Sequence, residues 1–271
     1  MSRLFDPSAV RLRALDELAG LDSPVHRLDA RAKTAAAFVL IVTTVSFSKY
    51  DAVSPVTLAL PLALCIGLGG LPTRVVAQRV AAAVPFALLV GAFNPLVDRA
   101  PVTVLPGVTL AAGWLSFAAV MVKSLLTVTV AALLIATTSF PAICDALRRF
   151  GLPAIFVTQL LLLYRYLFVL VGQASRMLRA RQARGAGPGR PTLHETARLL
   201  GALFLRSIDR AERIHCAMLA RGYTGELPSH GRSALRVADA LAFAAVLLFC
   251  LAARFVPLPW LAGTLTRGAL P

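Results

Sequence analysis

Acidic residues and cysteines are both scarce in this sequence. The 271 residues include 13 Asp and Glu against 28 Lys and Arg, and the four cysteines are Cys65, Cys144, Cys216 and Cys250. These cysteines are scattered and form no CxxC pair. The sequence therefore indicates neither a disulfide framework nor a structural zinc site.

Motifs of catalytic chemistry are missing too. The pattern GxxxxGK[ST] does not occur, so the chain carries no phosphate-binding loop of its own, and no serine lies in a GxSxG elbow. The four histidines show no HExxH pattern and no paired ligand spacing. We therefore expect a chain that is not an enzyme, holds no cofactor and no metal, and receives any energy input from a partner.

Apolar residues, by contrast, are abundant: they make up 58% of the chain, which has a mean hydropathy of +0.74. A soluble domain of this length rarely reaches that balance, so lipid is the expected solvent for much of the chain. The net charge of +15 could suggest nucleic acid, but the basic residues lie between apolar runs of spanning length. The positive-inside rule explains them more simply, and we expect a lipid bilayer and no nucleic acid as partners.

The apolar runs predict an all-α integral membrane protein with about five transmembrane helices plus further helices on the cytoplasmic side. The runs cover about 34–48, 53–71, 80–97, 114–139 and 237–253. Lys123 lies within the fourth run, which contains no acidic residue, so we interpret it as a snorkelling or packed lysine and not as an ion relay. The charged, mixed N-terminus does not resemble a cleaved signal peptide.

A sixth apolar run, about 152–172, is long enough to span but has Arg165 in its middle. Four spans before residue 140 place the N-terminus and the arginines of 173–236 on the same, cytoplasmic side. A crossing at 152–172 would remove that agreement, so we expect this segment to be buried against other helices and not to cross. The predicted organisation is 1–139 with the first four spans, 140–232 with helices at the cytoplasmic side and the membrane surface, and 233–271 with the last span and the C-terminal tail.

The segment 140–232 also shows where its helices begin. Phe140 to Pro153 is typical of a short amphipathic helix on the membrane surface, with Pro141 at its start. Thr192, followed by Glu195 three residues later, forms a capping-box pattern at the start of a longer helix. Apolar residues recur every three or four positions along that helix, which predicts an amphipathic helix.

Two helical stretches of this segment each end in the tripeptide Ala-Arg-Gly, 37 residues apart. The copies are Ala183-Arg184-Gly185 and Ala220-Arg221-Gly222. Each places an arginine in the last turn of a helix, where the negative end of the helix dipole favours a cation, and the glycine can take the left-handed cap conformation. Such a guanidinium can insert into an acidic groove of another protein, although Arg before Gly at a helix end is also common without function.

These segments resemble the T components of energy-coupling factor (ECF) transporters, and are closest to the CbiQ type of cobalt and nickel importers. The segment Ala217–Gly225, with Arg210 and Arg213 upstream, resembles the family's signature, and Ala180–Gly185 resembles its first Ala-Arg-Gly motif. The stretch before the first span, Ser23–Lys33, is also similar, with alanine at position 30 where the family often has proline. Thr138–Pro141 with Leu147-Arg148-Arg149 resembles the junction to the coupling helices, and the whole resemblance covers about 20–255.

The resemblance implies the transmembrane coupling subunit of an ECF-type ABC importer, multi-pass in the inner membrane of a bacterium or archaeon, with a cytoplasmic N-terminus. Its implied partners are two ATP-binding-cassette ATPases and a substrate-binding membrane S component for cobalt or nickel, with room for a small accessory membrane subunit. In the family, the two helix ends dock in grooves of the ATPases. The implied ATPase-coupling residues are therefore Ala183, Arg184, Gly185, Ala220, Arg221 and Gly222.

Other interpretations stay open at this point. The chain could be the T component of a vitamin-type ECF importer, or a conventional ABC permease subunit that forms the substrate path itself. A membrane enzyme would need clusters of acidic residues or histidines inside the spans, and the sequence shows no such cluster. One copy of the chain per two ATPases would support the coupling subunit, and two copies would support a permease.

Overall fold

A computed structural model describes residues 23–49, 51, 54–70, 73–97, 101–105, 108–186, 192–225 and 236–255. Helices α1 to α9 cover, in order, Ala30–Ser46, Ala59–Gly69, Thr73–Gly91, Asn94–Val97, Ala112–Thr137, Phe140–Arg149, Ala154–Arg181, Leu193–Ala220 and Val237–Phe255. A 3₁₀ helix, Ser54–Leu58, precedes α2, and a π-helical turn, Gln182–Ala186, follows α7. The charged N-terminal segment and the C-terminal tail lie outside the described residues.

The predicted all-α architecture is confirmed, with one addition. Strands β1, Pro101–Leu105, and β2, Val108–Ala111, pair antiparallel in a short hairpin that the sequence analysis missed. Both strands are rich in β-branched valine and threonine, which favour extended backbone. The third predicted run also ends earlier than expected: α3 stops at Gly91, because Pro95 has no amide to bond the Gly91 carbonyl and its ring would clash there.

Each of the five predicted runs overlaps an apolar helix. Within the described residues, four helices are long and apolar enough to cross a membrane, namely Thr73–Gly91, Ala112–Thr137, Ala154–Arg184 and Val237–Phe255. The first run corresponds to α1, which has 17 residues, and the second to the shorter apolar stretch Ser54–Gly69. Helix α7 is part of one of these four stretches, Ala154–Arg184, and its exclusion from the bilayer stays a prediction.

The described residues of 23–139 and 236–255 form one compact unit, which we call the first unit. Helix α5 lies at its centre and packs against α1, α2 and α3, and α1 packs also against α9. The core contains apolar side chains from all of these helices, among them Leu40, Leu62, Val76, Leu133 and Cys250. Apolar burial between long helices therefore holds this unit together.

The described residues of 140–225 form a second compact unit. Helix α6 packs against the first part of α7, and α8 contacts α7. Only Val157 and Thr158 of α7 are buried, and α8 has no buried residue. Within this unit, therefore, 152–172 is not buried against other helices as expected, because the ten residues of α6 are too few to cover the 28 residues of α7.

Candidate functional site

The second Ala-Arg-Gly copy forms a Schellman cap at the end of α8. Arg221 is the C-cap residue, and Gly222 follows with a left-handed φ of 79°. The Gly222 amide donates to the Leu219 carbonyl at 2.9 Å, and the Tyr223 amide donates to the Met218 carbonyl at 3.0 Å. These two bonds satisfy carbonyls that the helix end would otherwise leave open. The predicted left-handed glycine cap is confirmed at this copy.

The side chain of Arg221 is exposed, and its guanidinium has no hydrogen-bond or ion-pair partner among the described residues. The backbone around it is fixed by the cap, and the Tyr223 hydroxyl donates to the Gly225 carbonyl at 2.9 Å just beyond it. A guanidinium held at a rigid helix end without an internal partner is suited to bind an acidic group of another molecule.

The first Ala-Arg-Gly copy has a different backbone. Helix α7 ends at Arg181, and all three residues of the copy lie in the π-helical turn Gln182–Ala186. Gly185 is thus an internal residue of that turn, and the expectation of a left-handed cap is wrong here. Ala183 and Arg184 are exposed. The two copies thus share a sequence but present their arginines on different backbones. Short π-helical turns are rare and occur frequently at functional sites.

An ion pair joins the end of α7 to the start of α8. Arg181 Nη2 lies 2.7 Å from Glu195 Oε2, and the same oxygen accepts a hydrogen bond from the Thr192 amide at 2.8 Å. The Thr192 hydroxyl accepts from the Glu195 amide at 3.4 Å, so the predicted capping box is present. The sequence analysis did not single out Arg181, because its partner lies 14 residues away, across the loop.

Hydrogen bonds stabilise the ionised form of Glu195 in this link. The Thr192 amide first, and then the Arg181 guanidinium, lower the pKa of the Glu195 carboxyl. Because the pKa of Glu195 is lower in the folded state, its hydrogen-bonded carboxylate stabilises the fold above the ordinary glutamate pKa. This stabilisation is lost as the pH falls through the lowered pKa. The α7–α8 link is therefore intact at neutral pH.

A cleft of about 980 Å³ opens between α6, α7 and the end of α8 in the second unit. Its charged lining consists of Asp145, Arg148, Arg165 and Arg221. Three tyrosines also line it, and Tyr164 stacks on Phe140 with ring centroids 4.6 Å apart. Of the residues predicted to couple to ATPases, Arg221 and Gly222 line this cleft, whereas Ala183 and Arg184 do not.

A buried polar junction lies in the first unit, where the start of α1 meets the start of α9. The Asp29 amide donates to Asp239 Oδ1 at 2.9 Å, and Asp239 Oδ2 accepts from the Arg236 amide at 2.8 Å. Lys33 Nζ donates to the Thr137 carbonyl at 2.8 Å, at the C-terminus of α5. The junction thus holds three helix ends together. The sequence analysis noted Ser23–Lys33 but not Asp239, which lies 210 residues from Asp29.

Lys123 in the middle of α5 has a structural role. Its Nζ donates to the Phe47 carbonyl at 2.6 Å and to the Ser48 carbonyl at 3.0 Å, just after the end of α1. Carbonyls at a helix C-terminus have no intrahelical donor, and a lysine satisfies them well. The interpretation of Lys123 as a packed lysine is confirmed.

The fold is that of a helical membrane protein with several candidate spans and a second, arginine-rich helical unit. Within the described part of the chain, no group of three or more His, Cys, Asp or Glu side chains is placed to hold a metal ion. The family model of CbiQ, described as a cobalt transport protein, matches residues 22–232. Because this match covers most of the chain, the chain belongs to the CbiQ family.

Named relatives agree with the family. The cobalt transport protein CbiQ of Rhodobacter capsulatus is 37% identical over 92 residues, which are 34% of this chain and 38% of the relative. That of Salmonella typhimurium is 27% identical over 156 residues, 53% of this chain and 69% of the relative. A Methanocorpusculum labreanum protein, provisionally named fused cobalt transport protein CbiMQ, is 31% identical over 90 residues, 33% of this chain and 15% of the relative. The alignment thus spans well under half of the Rhodobacter protein.

Proposed function

We propose that this chain is the non-catalytic transmembrane coupling subunit of an ECF-type ABC importer for cobalt or nickel. Family membership supports a role in transport, and the names of the relatives support cobalt as the substrate. The observation that carries the coupling role is Arg221, an exposed arginine without a partner among the described residues, on a fixed helix cap. With Arg184 it provides two arginine-bearing helix ends for two ATPases, and the proposed coupling residues remain those of the two Ala-Arg-Gly copies.

Helix α8 is suited to transmit movement. It has 28 residues, which corresponds to about 42 Å at the helical rise of 1.5 Å per residue. Because a continuous helix is stiff, a displacement of its Arg221 end also moves its Glu195 end. The ion pair between Glu195 and Arg181 passes that displacement to α7, next to the first copy. We infer that closure of the two ATPases tilts these helices and that the movement reaches the substrate-binding subunit.

The proposed complex contains two ABC ATPases and a membrane S component that holds the metal, and it allows a small accessory membrane subunit. The fusion in the name CbiMQ supports a second membrane component in the same transporter. We place the chain in the inner membrane of a bacterium or archaeon with a cytoplasmic N-terminus, because this puts the arginines of 140–232 on the cytoplasmic side. The division into 1–139, 140–232 and 233–271 follows from the same proposal.

The proposal predicts one copy of this chain per two ATPase subunits. The complex would be purified by a tag on this chain after co-expression with its ATPases and membrane subunits, and native mass spectrometry would give the stoichiometry. Two copies per two ATPases would instead favour a conventional permease.

ATP-dependent uptake of radioactive cobalt into proteoliposomes, with nickel as competitor, tests the substrate. Uptake of a vitamin without uptake of either metal would assign the chain to a vitamin-type importer.

Labelling of Cys216 tests the proposed orientation. Cys216 is exposed on α8, whereas Cys144 and Cys250 are buried and Cys65 is half-buried. Burial first, and the neighbouring Asp145 carboxylate second, raise the pKa of the Cys144 thiol and so lower its reactivity. We expect a membrane-impermeant maleimide to label the chain at least about ten-fold faster in inside-out than in right-side-out vesicles, since labelling follows thiol exposure. Cys216→Ser should remove the difference, and faster labelling from the outside would contradict the orientation.

A further inference from the structure

Arg165 is a charged residue in the middle of an apolar helix, and neither the fold nor the proposed coupling role accounts for it. Its side chain is exposed and has no hydrogen-bond or ion-pair partner among the described residues. A guanidinium exposed beside the apolar side chains of a membrane-associated helix is suited to pair with an anionic group at the lipid surface. The position of Arg165 therefore calls for a partner outside this chain.

The cleft around Arg165 has the charge of an anion site. Three arginines, Arg148, Arg165 and Arg221, line it together with one carboxylate, that of Asp145. The start of α7 lines it as well: its first residue is Ala154, and the N-cap Pro153 makes no side-chain cap hydrogen bond. The partial positive charge of an uncapped helix start adds to that of the guanidinium groups. The ligand of this cleft should carry negative charge.

Beside its tyrosines and Thr158, the cleft has an apolar lining, and this defines the rest of the ligand. Val157, Leu161 and Leu162 of α7 and Ile214 and Met218 of α8 line it. Outside the cleft the apolar surface of α7 continues, with Ile155 69% exposed, Phe156 60% and Leu163 60%. An apolar surface of this kind on a helix hydrophobic enough to span a bilayer needs lipid or protein to cover it. The ligand should therefore be amphiphilic.

We propose that this cleft binds an anionic phospholipid, with the headgroup phosphate at Arg165 and the acyl chains along the apolar surface of α7. A planar guanidinium binds phosphate through paired hydrogen bonds, and basic pockets beside membrane helices are suited to lipid headgroups. Arg221 also lines the cleft and adds to its positive charge, but the proposed phosphate position is at Arg165 and not at Arg221. The lipid site thus goes beyond the proposed coupling function and does not rest on it.

The test measures binding of phosphatidylglycerol to the purified full-length chain in detergent, by native mass spectrometry and by the shift in Tm. Phosphatidylcholine, which has the same phosphate but no net charge, and inorganic phosphate serve as comparisons. We expect phosphatidylglycerol to bind best. Arg165→Gln should lower the affinity for phosphatidylglycerol by at least about five-fold, the contribution of one arginine to binding near a lipid headgroup. Arg165→Lys, which keeps the charge, should bind more tightly than Arg165→Gln. Arg198→Gln, at an exposed arginine of α8 outside the cleft, is the matched control and should not change binding.

Three results would overturn the proposal. Equal binding of phosphatidylglycerol by wild type and Arg165→Gln would remove Arg165 from the site. Equal stabilisation by inorganic phosphate would make it a site for a soluble anion. Loss of the bound lipid when the ATPases assemble would make the cleft part of a protein interface. Because Arg165→Gln should still assemble with the ATPases, a failure of the lipid site is distinguishable from a failure of the coupling function. If that variant does not fold, the wild type alone tests the lipid site: a preference for phosphatidylglycerol over phosphatidylcholine and phosphate supports it, and no preference overturns it.

Discussion

Replacing Arg221 by alanine is expected to reduce ATP-dependent cobalt uptake to background while the chain still inserts in the membrane. The affinity for the ATPase should fall by at least about 30-fold, the size of effect typical of a central interface arginine. The side chain is exposed at a rigid cap, so its removal affects docking and not folding. Arg221→Lys should fail as well, because an ammonium group cannot make the paired hydrogen bonds of a planar guanidinium.

Arg184→Ala should have a smaller effect, with about a three- to ten-fold loss of affinity. Arg184 lies in a π-helical turn that has no Schellman cap, so more conformational freedom is lost when it docks. That cost leaves less net binding energy for the truncation to remove. With both arginines replaced, the ATPases should no longer co-purify with this chain.

Co-purification, ATPase activity and uptake measured on the same preparations separate these outcomes. Arg206→Ala is the matched control, since Arg206 is an exposed arginine on α8 but lies 15 residues before Arg221. Normal assembly and transport by the double variant would refute the coupling role of both copies. Equal losses from the two single variants would refute the inequality that the backbone geometry predicts.

Local sequence signals were sufficient to place several helices of this protein. Apolar runs marked α1, α5 and α9, and the capping box of Thr192 and Glu195 marked the start of α8, because each signal lies within a few residues of the feature it defines. The lysine of α5 was also interpretable from its apolar surroundings alone. The predictable part of the fold is the part determined by short-range chemistry.

The difference between the two Ala-Arg-Gly copies was not visible in the tripeptides, because it depends on the residue that follows. A Schellman cap is usually accompanied by an apolar contact between the second residue after the C-cap and the last turn of the helix. Tyr223 occupies that position after Arg221, and it lines the same cleft as Met218. The corresponding residue after Arg184 is Ala186, whose single methyl group offers little contact area. The sequence left the relative contribution of the two helix ends open, and in the structure their backbone hydrogen bonding differs.

Contacts between residues far apart in the sequence could not be predicted from local sequence patterns. Asp29 and Asp239 meet only because α1 and α9 pack side by side, and nothing near either residue in the sequence indicates the other. Asp239 was overlooked inside an apolar run, although an aspartate in the first turn of a helix is a recognised N-terminal signal. A carboxylate that is only 2% exposed needs hydrogen-bond partners, and its role follows from what it binds.

Asp239→Ala should therefore be among the most destabilising single substitutions in the first unit. It leaves the buried Asp29 amide and the Arg236 amide without their acceptor, and it removes one of the two carboxylates near Lys33. Breaking a buried charged network by removing one partner costs about 3–5 kcal/mol. For a chain of this size that corresponds to a decrease in Tm of about 10 °C. Asp239→Asn keeps one oxygen acceptor, so its Tm should lie between those of the wild type and Asp239→Ala.

Thermal unfolding of the purified chain in a single detergent gives the comparison, and the amount of folded protein in the membrane gives a second measure. Asp209→Ala is the control, since Asp209 is an exposed aspartate on α8 and should change Tm by less than about 2 °C, as surface substitutions do. A Tm for Asp239→Ala as close to wild type as that of the control would mean that water or lipid replaces the lost acceptor. The junction would then not hold the ends of α1, α5 and α9 together. A large decrease with intact secondary structure at low temperature would locate the loss at this junction, where three helix ends meet over two buried carboxylates and one lysine.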